Sequence, residues 1–339
     1  MKFTKVIIVG IPVLALIFVA LVVNSGDVST QNKIRVAYFP NIGHAIPIVG
    51  IERGVFQQSL PQNIQIETRL FDSGPQVVES IFADSIDIAY VGPGPAINAF
   101  LKSEGHDVKI LSGAASGGAS FVVHPDSRID SVDDFDGKRI AAPQIGNTQD
   151  VSLRNYLSEN GLTPAEKGGS VVVLNMPNPD IYTLFTKGEI DAAWVPEPWA
   201  SILVLELDGK RLFTEEELWD DKKFASVVLI GRETYVKENP EIVQKWLESH
   251  REIAEWISEN PVETRIIFSQ FMKYTMGRSL SDSVIDESLN HLQITSDPIM
   301  PSITTFAKRA DDLGYLGRDG YNLDGIWLEV NSNVKEQEG

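Results

Sequence analysis

Ile86-Asp87-Ile88-Ala89-Tyr90-Val91-Gly92-Pro93-Gly94-Pro95 is a β-branched, apolar run that stops at two glycines and two prolines, with helical spacing resuming near Pro95. A buried strand that ends this way and feeds a helix is the repeating unit of an open α/β sheet. The pattern recurs on both sides of this stretch. Short apolar runs at 34–39, 64–71, 109–112, 121–124, 139–142, 171–176, 190–195 and 226–231 alternate with helical spacing, as in Val77, Val78, Ile81 and Phe82 or Val151, Leu153, Tyr156 and Leu157. Such alternation predicts parallel sheets with crossover helices. From Asn239 onward only helices are predicted, opening at Asn239-Pro240 and Asn260-Pro261, where Asn caps and Pro fills the first turn. Residues 331–339 are polar and read as a flexible tail.

The 339 residues are 43% hydrophobic and 22% charged, a balance that allows two cores. A formal net charge of -18 argues against nucleic acid as a partner. Cysteine is absent, which excludes disulfides, a thiolate metal site, a cysteine nucleophile and a lipidated cysteine anchor. At the N-terminus, Lys2 and Lys5 precede an uncharged stretch over 6–23, followed by Asn24, Ser25, Gly26 and Asp27. Residues 1–26 therefore read as a hydrophobic anchor or a signal cleaved near Ser25, with the uncleaved anchor in the cytoplasmic membrane favoured. Either way the remainder of the chain is expected outside the cytoplasm.

Gly- and Pro-rich punctuation falls just after predicted strands, where loops lead into helix N-termini whose free N–H groups and dipoles attract anions. Five such places supply candidate binding residues: Pro40, Asn41 and His44; Ser73 and Gly74, with Ser73 as N-cap; Gly92, Pro93 and Gly94; Asn147 and Thr148; and Trp194 with Glu197. Each also has a plain reading as a turn, cap or core residue. Asp150 reads as a capping residue, Glu215-Glu216-Glu217 as solvated surface, and Trp246 with Trp256 as core packing. The GxxxxGK[ST], HExxH and GxSxG patterns are absent, and the five histidines are scattered. Neither a cofactor nor a metal is expected, and an enzyme is disfavoured.

In order along the chain, Tyr38-Phe39-Pro40-Asn41, Asp72-Ser73-Gly74, Asp87-Ile88-Ala89-Tyr90-Val91-Gly92, Ser131-Val132-Asp133-Asp134-Phe135-Asp136-Gly137-Lys138-Arg139-Ile140-Ala141 and Gly188-Glu189-Ile190-Asp191-Ala192-Ala193, then Glu197-Pro198, resemble the nitrate/sulfonate/taurine class of ABC-transporter substrate-binding proteins. That class includes relatives binding pyrimidine precursors of thiamine. The resemblance covers most of 33–259. It implies a bilobal, periplasmic-binding-protein-like type II α/β fold with two crossovers, near 117–121 and 224–228, and a helical C-terminal tail. Lobe one is then 33–119 plus 226–330 and lobe two 120–225. The same resemblance adds Ser116 and Gly117 to the binding residues.

It further implies capture without chemistry: a small-molecule solute binds one lobe, the other closes, and the closed monomer docks on an ABC permease with its ATPase. No Arg or Lys occurs in the candidate loops. Charge neutralisation of an anion would depend on dipoles, hydroxyls, amides and His44, while Glu197 would accept an ammonium group. A zwitterion such as taurine satisfies both ends; a heteroaromatic stacked on Trp194, or a quaternary amine caged by Trp194 and Trp199, are the alternatives. Thiamine-precursor enzymes of this fold carry a cysteine-rich segment that the chain lacks.

Overall fold

The computed structural model describes residues 33–277, 279–317 and 320–328; the predicted anchor at 6–23 and the tail at 331–339 lie outside them. Two separate sheets form. The first begins with β1 (Lys33–Tyr38), followed by α1 (Ala45–Glu52), α2 (Val55–Ser59), β2 (Gln65–Leu70), α3 (Gly74–Phe82), β3 (Ile88–Val91), α4 (Pro93–Lys102) and β4 (Val108–Gly117). The second comprises β5 (Ala119–Val123), β6 (Arg139–Ala142), α5 (Thr148–Glu159), β7 (Val172–Asn175), α6 (Asn178–Thr186), β8 (Ala192–Pro196), α7 (Trp199–Glu206) and β9 (Lys210–Thr214). The chain then returns through β10 (Ala225–Arg232), α8 (Glu233–Glu238), α9 (Pro240–Glu259), α10 (Pro261–Met276), α11 (Asp282–Asn290), β11 (Leu292–Ile294) and α12 (Met300–Asp312).

Strand order is β11-β4-β10-β3-β1-β2 in the first sheet and β7-β6-β8-β5-β9 in the second, the bilobal type II architecture. Strands joined by helices pair in parallel: β1 with β2 and β3, and β6 with β7 and β8. The expectation of parallel sheets is corrected at β5 and β10, each antiparallel to both neighbours. The reason is the exchange between sheets. A strand delivered from the other sheet without a crossover helix arrives in the reverse sense. The passages lie at Gly118, where Gly117 and Gly118 both hold φ of +74, and across 215–224.

β9 and β11 are strands where none was predicted, so the C-terminal third is not wholly helical. β11 has three residues, too few for a periodic signal, and pairs antiparallel with β4. The Asn-Pro junctions also differ from expectation. Neither Asn239 nor Asn260 caps the following helix; their Nδ2 groups donate to Tyr235 O and Trp256 O of the helix before.

α9 fastens the tail to lobe one through buried polar and aromatic contacts. Trp246 stacks on Phe56 at 3.8 Å, and its Nε1 donates to the Tyr90 hydroxyl, 3.2 Å away. That hydroxyl lies 2.9 Å from His250 Nδ1, and His250 Nε2 lies 2.8 Å from Gly113 O. Each buried polar atom in this chain of contacts has a partner, which removes the desolvation cost of burying it. Trp256 is half-buried under the Arg53 guanidinium, 3.7 Å from its ring centroid.

Candidate functional site

Between the two sheets lies a cleft with a cavity of about 180 Å³, lined from both lobes. The first sheet contributes Phe39, Pro40, Asn41, Gly43 and His44 after β1, Phe71 and Asp72 after β2, Gly92 after β3, and Ser226 and Val227 on β10. The second contributes Asn147, Thr148 and Gln149 at the start of α5, Pro177, Asn178 and Pro179 at the start of α6, and Pro196, Glu197 and Trp199 after β8. The starts of α5 and α6 face the cavity from the second sheet and leave first-turn N–H groups without a partner in their own helix, whereas at α4 Pro93 and Pro95 have no N–H and Gly94 N is taken by Thr148 Oγ1. Among the candidates, Pro40, Asn41, His44, Gly92, Asn147, Thr148 and Glu197 come together here.

His44 is buried, and its Nδ1 accepts the Phe39 N–H at 3.2 Å while its ring lies 4.6 Å from the Phe39 ring. Burial lowers its pKa to about 3, so it is neutral and its remaining proton sits on Nε2. The expected cationic help from His44 is thereby replaced by a single neutral N–H donor. Asn147 Oδ1 accepts the Thr148 N–H, and Thr148 Oγ1 takes a long contact, 3.4 Å, from Gly94 N of the other lobe. Gly92 is needed for that approach: a side chain there would place its Cβ 2.3 Å from Thr148 Oγ1.

Glu197 faces the cleft but is 1% exposed and fully engaged. Its carboxylate pairs with Arg211 at 3.0 Å and accepts the Ser201 N–H at 2.9 Å and the Ser288 hydroxyl at 3.2 Å. The expected ammonium acceptor is thus already neutralised by a cation that sequence spacing did not bring near it. Trp194 is corrected more sharply. It is 0% exposed in the core of lobe two, edge-on to Phe121 and Phe213, with Nε1 donating to Glu215 Oε2 at 2.8 Å. Neither stacking nor a cage is open to it. Glu215, expected on the solvated surface, is buried with Trp194 and Ser152 as partners, and burial pushes its pKa up to about 7. Asp150 is likewise buried, held by Arg154, Asn175 and Tyr315.

The remaining candidates stand back from the cavity. Ser73 is 5% exposed at the start of α3 without a capping bond, its Oγ unpartnered; Gly74 leaves room for the Pro95 ring, 2.1 Å from where a Cβ would stand. Pro93 and Gly94 form the first turn of α4 behind Gly92, and Gly94 packs on the Phe306 ring. Ser116 and Gly117 end β4 one step before Gly118, which does line the cleft. Sequence reasoning missed Asp72, Pro177 to Pro179 and Ser226; Trp199, named there only for an amine cage, lines the cleft without Trp194. The proline pair follows β7 and opens α6, the same strand-end signal used elsewhere. Ser226 lies on a strand and Thr275, also at the cleft, ends α10; neither carries a local signal.

The profile of the NMT1-like family matches residues 27–271, most of the chain and both lobes. The chain belongs to the NMT1-like family. A Brucella abortus (strain 2308) chain bearing a binding-protein name is 28% identical over 269 residues, covering 79% of this chain and 78% of its own length. The taurine-binding periplasmic protein of Escherichia coli K12 is 29% identical over 184 residues, 54% of this chain and 55% of that one. Among solved structures, the alkanesulfonate-binding protein SsuA from Xanthomonas axonopodis pv. citri, bound to MOPS, superposes with a TM-score of 0.71 at 20% identity. That match covers 85% of this NMT1-like chain and 95% of the other, so the family fold extends over both lobes.

Proposed function

We propose that the chain is the solute-capturing component of an ABC importer, working outside the cytoplasm and held at the membrane by residues 6–23. In this reading its lobes close over a small anionic or zwitterionic solute, sulfonates and taurine-like aminosulfonates ahead of nitrate, and the closed monomer presents the solute to a permease. The observation that carries the reading is the cleft lined from both sheets, with the starts of α5 and α6 on one side and the loops after β1, β2 and β3 on the other. One helix start favours a negative group by about 0.3–1 kcal/mol, up to about 2 when partly buried, so two supply roughly 0.6–4 of the about 8 kcal/mol that micromolar binding requires. Hydrogen bonds and desolvation on closure supply the rest. The cavity of about 180 Å³ lies below the roughly 300–1,000 Å³ of sites for drug-sized ligands, which suits a solute of few heavy atoms. Names of the relatives, taurine-binding and alkanesulfonate-binding, agree with that size and charge.

Thermal unfolding of the full chain against taurine, alkanesulfonates, nitrate, bicarbonate, glycine betaine and pyrimidines tests the reading. A ligand at a hundred times its Kd adds about 2.7 kcal/mol to native stability. A sulfonate or aminosulfonate should raise the midpoint by several degrees; a folded protein that none of the panel stabilises would refute the solute class.

A further inference from the structure

The tail of the chain is tied to both lobes at once. α12 packs on α4 of lobe one and on α5 of lobe two, where Val151 joins the same apolar cluster as Ile303 and Phe306. It also holds the passage between the lobes: Ser302 Oγ accepts the Ala225 N–H at 3.0 Å, Arg309 Nη2 donates to Leu218 O at 3.1 Å, and the Arg309 guanidinium lies 4.1 Å from the Trp219 ring centroid. The helix ends on a Schellman turn. Gly314 holds a φ of +81, its N–H donates to Asp311 O at 2.7 Å, and the Tyr315 N–H donates to Ala310 O at 2.9 Å. That reversal brings the half-buried Tyr315 against lobe two, where its hydroxyl donates to Asp150 Oδ2 at 2.8 Å. Asp150 is where this contact meets the cleft. The same Oδ2 accepts the Gly146 N–H at 3.0 Å, while Oδ1 is held by Arg154 and Asn175. Gly146 opens the loop whose next three residues, Asn147, Thr148 and Gln149, line the cavity.

We propose that Tyr315 is a positioning residue: through Asp150 it fixes where the start of α5 stands across the cleft, and with it how firmly the lobes hold a solute. The consequence for affinity rests on the capture reading above. Burial and the Asp150 charge both push the Tyr315 phenol well above its ordinary range, so the hydroxyl keeps its proton and stays a donor. A hydrogen bond to a carboxylate is stronger than one between neutral groups. Arg154, Asn175 and Gly146 N, all in lobe two, keep the carboxylate in place whether or not the hydroxyl is present. What the hydroxyl sets is therefore the standing of α5 against the tail of lobe one, and α5 carries the cleft loop with it.

Tyr315→Phe removes only that hydroxyl, and two measurements on the full chain read its effect. Hydrogen exchange without solute should be about tenfold faster at amides 146–149, the scale of one bond to a charged group. In calorimetric titration the Kd for taurine should rise about tenfold. Ile257→Val is the comparison: it trims the buried core beneath α9, lowers the melting midpoint, and should move neither readout. Unchanged exchange in Tyr315→Phe overturns the proposal whether or not taurine binds. Faster exchange with an unchanged taurine Kd makes the contact a local prop and overturns the positioning role as well. If the wild type does not bind taurine, the sulfonate reading fails on its own, and the exchange result alone decides for or against Tyr315.

Discussion

Glu197 is a carboxylate with no water to solvate it, and its stability depends on Arg211, Ser201 N and Ser288 together. Glu197→Ala leaves the mostly buried Arg211 with the Ser120 and Ser201 hydroxyls and a distant carboxylate, Glu287 at 3.7 Å, and breaking a buried pair from one side costs about 3–5 kcal/mol. Urea denaturation should register that loss; a change below 1 kcal/mol, the scale of an exposed pair, would contradict it. Glu215 behaves differently because it sits among neutral partners. Its folded pKa of about 7 lies above the ordinary 4.5, so the folded state holds the proton more tightly than the unfolded one. Its contribution is therefore present below pH 4.5 and lost as pH rises through 7, by about 3 kcal/mol. The buried His44 and His250, pushed down to about 3 and about 4, slope the other way below pH 6.5. The difference between wild type and Glu215→Gln isolates the carboxyl: the variant should gain relative stability steadily from pH 4.5 to 7. Side-chain direction was what sequence could not supply at these residues. In β8 the alternate residues Ala193 and Val195 face one core and Trp194 the other, and a run buried on both faces has no polar side to orient it.

At the scale of elements, strand ends were the legible part. Seven of the fourteen candidate residues reach the cleft because Gly and Pro after a parallel strand mark where a helix starts. β6 matches its expected bounds of 139–142, whereas β9 and β11 were illegible: one is half-buried and basic, the other too short. Tertiary pairing, not local pattern, makes them strands. β4 shows what that pairing demands, since Gly113 leaves no room for a side chain: a Cβ would stand 2.0 Å from the Asp297 carbonyl oxygen. The obstacle is backbone, already tied by the Gly113 N–H to Ser296 O at 3.1 Å. Gly113→Ala should therefore cost about 1–3 kcal/mol and loosen the segment around β11, visible as a lowered melting midpoint. An unchanged midpoint would mean that the tail can move aside freely.

The molecule as a whole is two α/β lobes that share apolar packing, α7 against α11 and α5 against α12, and also meet at a few polar points. Tyr315 donates to Asp150 Oδ2 at 2.8 Å, Ser288 to Glu197 and Gly94 N to Thr148, each pairing one lobe with the other. The passages at Gly118 and 215–224 are where a hinge would turn. Because Gly92 is the point where Thr148 comes nearest, Gly92→Ala should hold the lobes slightly apart. Taurine affinity should fall about tenfold, or 1.4 kcal/mol, with little change in the ligand-free melting midpoint. Equal affinity would place closure elsewhere. The central claim, that one solute is gripped by both lobes at once, is tested most directly by hydrogen exchange of the full chain with and without saturating taurine. The account predicts slowed exchange at the amides of Gly92 and Gly94 in the first lobe and 147–149 in the second; protection confined to one lobe, or absent from both segments, would contradict it.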